Sequence, residues 1–169
     1  MFLDEMGVSL ALCPRSGWGK QGEALVQSVP GRRGTNLSVI GALDGLGVIV
    51  TAQQLGAMKR VDFERFLSQD LLPRLTEGSV LVLDNATIHK GGQIAELVEQ
   101  AGCRLLYLPP YSPDFNPIEL IWAYVKRLLR TAGPRDDLAR ETALAEALAA
   151  VPDHLSAACF RHCDYRLPF

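Results

Sequence analysis

The chain has 169 residues, 48% of them hydrophobic, and its 17 basic and 19 acidic side chains leave a formal net charge of −2. That length suits one domain burying roughly 70% of its unfolded surface, and no apolar run approaches the roughly 20 residues of a membrane span. The N-terminal stretch MFLDEMGVSL has neither the basic region nor the apolar core of a secretory leader, so the expectation is a soluble protein of the cell interior with no membrane partner.

The charge balance alone does not point to a polyanionic partner. Basic residues do cluster at Arg32 and Arg33, at Lys59 and Arg60, and at Lys126, Arg127 and Arg130, and a near-neutral total can hide a positive groove. Taken singly, each cluster reads as a solvated face. Four cysteines are scattered, with Cys159 and Cys163 bracketing His162. Two thiols and one imidazole fall short of the four ligands of a structural zinc, so reduced thiols on or near the last helix are expected.

In chain order, residues 1–4, 23–29 (EALVQSV), 37–43 (LSVIGAL) and 46–52 (LGVIVTA) read as strands, and Asp44-Gly45 between the last two signals a hairpin turn. PGRRGTN (30–36) reads as a turn, and GWGKQG (17–22) as a hairpin loop lacking the order of a phosphate loop. From Val61 the period changes: Phe63, Phe66, Leu67 and Leu71 predict an amphipathic helix over 61–75. Residues 79–84 are continuous in Val and Leu, as in a strand covered on both faces. A helix over 88–101 stopping at Gly102 and a strand over 103–108 follow.

The four prolines of PPYSPDFNP (109–117) demand a rigid loop, in which Tyr111 and Phe115 are expected to pin the loop to the domain in preference to stacking on bases. Asn116 reads as an N-cap with Pro117 at the first helical position of a helix running to about Arg130. A further helix spans 138–150, and 152–169 reads as one short helix and a tail. The pattern predicts a mixed α/β sheet flanked by helices, with the strands before and after the 88–101 helix parallel.

Three acids stand at element ends: Asp4 closing the first strand, Asp84 closing the strand over 79–84, and Glu119 in the first turn after the proline-rich loop. Ligands of such sheets gather beyond the carboxyl ends of parallel strands, and hard divalent cations want carboxylate oxygens. Two ions about 4 Å apart suit phosphoryl transfer. Each acid has a plainer reading. Asp84 with Asn85 fits a turn, and NPIE (116–119) fits a capping box that would occupy Glu119. Asp4 is followed by Glu5, and since side chains alternate along a strand only one of them faces a given side; Asp4 is favoured. His89 suits either a phosphate- or water-orienting role or an exposed helix start.

The ordered segments FLDE, LSVIGAL, VDFERFL, VLVLDNATIHK and LPPYSPDFNPIELIWAYVKR resemble the catalytic (DDE) domain of the mariner transposase superfamily, in its bacterial insertion-sequence branch, over roughly residues 1–130. The 34 residues between Asp84 and Glu119 are similar to that family's spacing. The resemblance implies a ribonuclease-H-like, five-stranded mixed sheet of order β-β-β-α-β-α-β-α plus a C-terminal helix, with residues 1–131 as the catalytic domain and 132–169 as a helical extension of it. It implies that Asp4, Asp84 and Glu119 form the catalytic, metal-binding triad, with Asn85, His89 and Asn116 as secondary motif positions. Two Mg2+ or Mn2+ ions, hydrolysis at transposon ends, and attack of the freed 3′ hydroxyl on target DNA complete the implied activity. The implied partners are DNA, a second copy of the chain in a homodimer, and a helix-turn-helix chain from an upstream reading frame, in the bacterial cytoplasm on the nucleoid.

Complete members carry helix-turn-helix domains before the catalytic one, whereas here three residues precede Asp4. The sequence therefore fits either one frame of a split transposase or an inactive truncated remnant acting at most as an interaction domain, with a general nuclease of the same fold as a third reading. A clipped, weakly paired first strand is expected.

Overall fold

The computed structural model describes residues 1–14, 16–29 and 34–167. Apolar runs become strands where neighbours complete their backbone hydrogen bonds. β1 (Phe2–Val8), β2 (Leu37–Leu43) and β3 (Val48–Leu55) pair antiparallel in succession, while β4 (Val80–Leu83) pairs parallel with β1, and β5 (Arg104–Tyr107) parallel with β4. The order across the sheet is β3-β2-β1-β4-β5, so the first strand lies in the middle beside the fourth, as expected of a ribonuclease-H-like sheet. The Asp44 turn forms as expected, its Oδ1 accepting from the N–H of Leu46 (2.8 Å) and Gly47 (3.0 Å).

The pleat sends alternate residues to two separate cores. Phe2, Met6 and Val8 meet Ile118, Ile121, Trp122 and Val125 on one face, whereas Leu3, Leu81 and Leu83 meet Phe63, Phe66 and Leu67 on the other. The first face is covered by α3 (Pro117–Ala132), with α4 (Asp137–Ala149) and α5 (Asp153–His162) packed against it. The second is covered by α2 (Ile94–Gln100) and by α1 (Arg60–Arg65), which runs on into a wider π-helical stretch (Phe66–Leu71) and a 3-10 turn (Leu72–Arg74). Among the described residues no helix is long and apolar enough to cross a membrane.

Several expectations need correction. Residues 23–29 form no strand: Leu25 and Val26 are exposed, and none of the described residues between β1 and β2 pairs with the sheet. Arg32, Arg33 and most of the PGRRGTN turn lie outside the described residues. The first strand does not close at Asp4, nor is its pairing weak. It runs on to Val8 and pairs with β2 at seven positions, because the strand continues as Met6 and Val8 return to the core. The helix expected from 88 begins only at Ile94, since Gly91 and Gly92 both take left-handed φ values (74° and 63°) that break the run after a short turn at Thr87–His89. The C-terminal region follows expectation, with a helix at Asp137–Ala149 and one short helix, α5, that carries Cys159 and is capped by Cys163, and all four cysteines are free thiols.

Gly41 of β2 has a packing role. It is the cross-strand partner of Asp4, and a Cβ built on it would lie 2.7 Å from Cη2 of Trp122. The indole of α3 thus beds onto bare backbone beside Asp4, one helical turn beyond Glu119.

Candidate metal centre

The register Phe2↔Val82 between parallel β1 and β4, extended by two residues, sets Asp4 level with Asp84 on the adjacent strand. Neighbouring strands lie about 4.8 Å apart, and matched positions point to the same face. That face is the one α3 covers, and α3 carries Glu119 in its first turn. Asp84, Asn85, Lys90, Tyr111, Asn116 and Glu119 line one open crevice there, at the carboxyl end of β4.

The three acids sit in different surroundings. Asp4 is 6% exposed, and its Oδ2 is buried without a hydrogen-bond partner. Burial, followed by the charges of Glu119 and Glu5 and, more weakly, Asp84, pushes its carboxyl up to about 8 against the pull of the Glu5 N–H. Asp84 is half-exposed and held below the usual carboxylate range, first by its bond to His89, with the Ala86 N–H (2.9 Å) helping and partial burial opposing. Glu119 is exposed on the rim, yet the protein around its carboxyl displaces enough water to push its pKa up; Lys126 opposes this and Asp84 adds to it. An acid so crowded by other acids, with an orphan buried oxygen, suits a cation that would neutralise the set. Among the described residues no three His, Cys, Asp or Glu side chains are already drawn together to grip an ion at once.

The alternatives weighed for these residues resolve geometrically. Asn116 occupies the N-cap position, but neither its side chain nor that of Glu119 makes a capping bond, so NPIE is not a capping box and Glu119 is unengaged. Asn116 is buried with its Oδ1 unpartnered. Asn85 donates from Nδ2 to the Leu108 carbonyl at 2.6 Å, tying the end of β4 to the start of the proline-rich loop. His89 is not an exposed helix start: it is fully buried, with Nδ1 2.6 Å from Asp84 Oδ1 and Nε2 2.9 Å from Glu5 Oε1. Burial opposes its protonation most strongly, but the bonds and charges of Asp84 and Glu5 prevail and push it up to about 10. Glu5, weighed from sequence only as a substitute for Asp4, lies on the other face of β1 and serves His89. The pleat carries that signal, but the partner was not visible 84 residues away.

Nor does Tyr111 pin its loop. Its side chain is wholly exposed and its backbone is left-handed (φ 55°), while Phe115 is half-exposed and only its carbonyl is held, by the Tyr165 hydroxyl at 2.9 Å.

Residues 1–139 match the family described as "DDE superfamily endonuclease". The Tcb1 transposase of Caenorhabditis briggsae is 32% identical over 80 residues, which are 45% of this chain and 29% of that protein. The fold superposes on Mos1 transposase in its paired-end complex with the left transposon end (TM-score 0.77, 21% identity, 96% of this chain, 51% of that one). It superposes likewise on the Mos1 mariner paired-end complex with Mn (TM-score 0.74, 21% identity, 96% and 51%). The chain thus spans about half of Mos1 and under a third of the curated relative. With four-fifths of its length matched and the strand order, parallel β1/β4 pair and acid-lined crevice in place, this chain belongs to the DDE superfamily endonucleases.

Proposed function

We propose that this chain is the catalytic domain of a DNA transposase that cuts phosphodiesters at element ends and joins the freed 3′ hydroxyl to target DNA. The observation that carries the reading is the buried, partnerless Oδ2 of Asp4 beside the charges of Glu119 and Asp84. Asp4, Asp84 and Glu119 would hold two Mg2+ or Mn2+ ions; the Mos1 complex with Mn supports the choice of metal. Metal held there would supply Lewis-acid help to the attacking hydroxyl and to the leaving oxygen of an in-line displacement.

The chain's own residues do the rest. The unengaged Glu119 closes the site from α3, and Asn85 holds the loop that forms the far wall of the crevice. Lys90, exposed on that crevice, faces the phosphate backbone of DNA. Residues 132–169 act as an extension of the 1–131 domain, since α4 and α5 pack on α3. End recognition comes from a helix-turn-helix partner, and a homodimer brings two ends together in the bacterial cytoplasm; the paired-end complex of Mos1 supports the pairing.

The test is cleavage of linear DNA bearing the element's end, with a helix-turn-helix partner supplied. Cutting is expected with Mg2+ or Mn2+ and lost in Asp84→Asn. Absence of cutting by the wild type with either metal sinks the reading.

A further inference from the structure

Glu5 is an acid beside the crevice to which the proposed chemistry gives no task. It leaves β1 on the face opposite Asp4, its side chain is only 17% exposed, and its Oε1 is 2.9 Å from Nε2 of His89. The other nitrogen of that ring is 2.6 Å from Asp84 Oδ1, which also accepts from the Ala86 N–H. The ring is fully enclosed. Phe63 stacks at a tilt 4.6 Å from it, the Tyr107 hydroxyl donates to the His89 carbonyl at 2.6 Å, and Arg60 of α1 donates to the Thr87 carbonyl at 3.3 Å. With its ring walled in and both nitrogens engaged, His89 fixes one oxygen of Asp84 and leaves Oδ2 for a ligand.

We propose that Glu5 and His89 are positioning residues for the metal centre: Glu5 fixes the imidazole, and the imidazole holds Asp84 in the one rotamer that offers Oδ2 to the ion. This rests on the reading of Asp84 as a metal ligand. Both residues act from behind the sheet face that meets DNA, so neither touches substrate. Groups that orient a ligand from the second layer typically change metal affinity by about 10- to 100-fold. Holding Asp84 in place beforehand spares the ordering of a side chain on binding.

The arm length of Glu5 separates positioning from charge. Glu5→Asp keeps the charge but withdraws the carboxylate by one methylene, about 1.5 Å, beyond hydrogen-bond reach of Nε2. Glu5→Gln keeps the reach and drops the charge. Mn2+ is titrated into the full chain, with the free ion followed by electron paramagnetic resonance and folding by circular dichroism. Glu5→Asp is expected to bind Mn2+ about tenfold more weakly than wild type, and Glu5→Gln within about threefold of it. Asp84→Asn is expected to lose the tightest binding. Wild-type affinity in Glu5→Asp, with binding lost in Asp84→Asn, overturns the positioning role and leaves the metal site standing. Equal weakening in Glu5→Asp and Glu5→Gln makes charge the cause and overturns it too. Wild-type affinity in Asp84→Asn removes the metal reading, and this proposal with it. Should Glu5→Asp not fold, Glu5→Met, which fills the space without an acceptor oxygen, takes its place with the same expected loss.

Discussion

Replacing Asp4 with asparagine removes a charge that the metal-free protein tolerates poorly. Moving a carboxyl from its ordinary 3.8 to about 8 corresponds to roughly 6 kcal/mol against the ionised form. Water penetration and the freedom of exposed Glu119 to swing away relieve part of that, leaving about 2–3 kcal/mol. Because the folded pKa lies above the unfolded one, the folded state holds the extra proton between about pH 4 and pH 8, and wild-type stability falls as pH rises through that window. Asp4→Asn does not share the fall. Without divalent metal, its melting temperature is expected to match wild type near pH 4 and to exceed it by about 4–12 °C at pH 8.5, read by circular dichroism in a chelating buffer. Saturating Mn2+ narrows the gap by stabilising wild type alone. A difference that stays flat with pH, or an Asp4→Asn protein that melts below wild type at pH 8.5, refutes the crowded-acid account.

Gly41→Ala drives a methyl into the Trp122 indole, costing about 1–3 kcal/mol by overpacking and lifting the helix that carries Glu119. A melting point lower by roughly 2–12 °C together with weaker Mn2+ binding is expected, whereas Gly47→Ala, with nothing within 4 Å of its new Cβ, is expected to leave both unchanged. Arg140 is fully buried in α4, donating to the carbonyls of Thr35 (2.7 Å) and Val8 (3.5 Å) and pairing with Asp137 (2.8 Å). Arg140→Ala strands those acceptors at a cost of about 3 kcal/mol, and if residues 132–169 extend one domain, a single melting transition moves down as a whole. Two resolved transitions contradict that arrangement.

Much of this was legible along the chain because it is local. The period of Phe63, Phe66, Leu67 and Leu71, the Asp44 turn and the Pro117 helix start each depend on a few adjacent residues, and each formed. What was hidden depends on partners. EALVQSV has the residues of a strand, but strand propensity is expressed only against a neighbouring edge, and it meets none. Asp4 looked like a strand end because two acids follow three apolar residues; what continues β1 to Val8 is its pairing with β2. The helix start after His89 was misplaced because the pattern weighs apolar positions, whereas two left-handed glycines decided the path. The three acids proposed to hold metal were legible as acids at element ends, but the burial of His89 was not, since Glu5, Phe63 and Tyr107 enclose it from three distant segments.

Asp4 and Glu5 are consecutive, yet because β1 is the middle strand and helices roof both its faces, the two acids occupy chambers on opposite faces of the sheet. Neither can stand in for the other: moving an acid by one position carries it through the sheet. The His89–Asp84 bond is where the two chambers communicate. Changes in the α3 wall can retune what enters the crevice, while the histidine side keeps its aim.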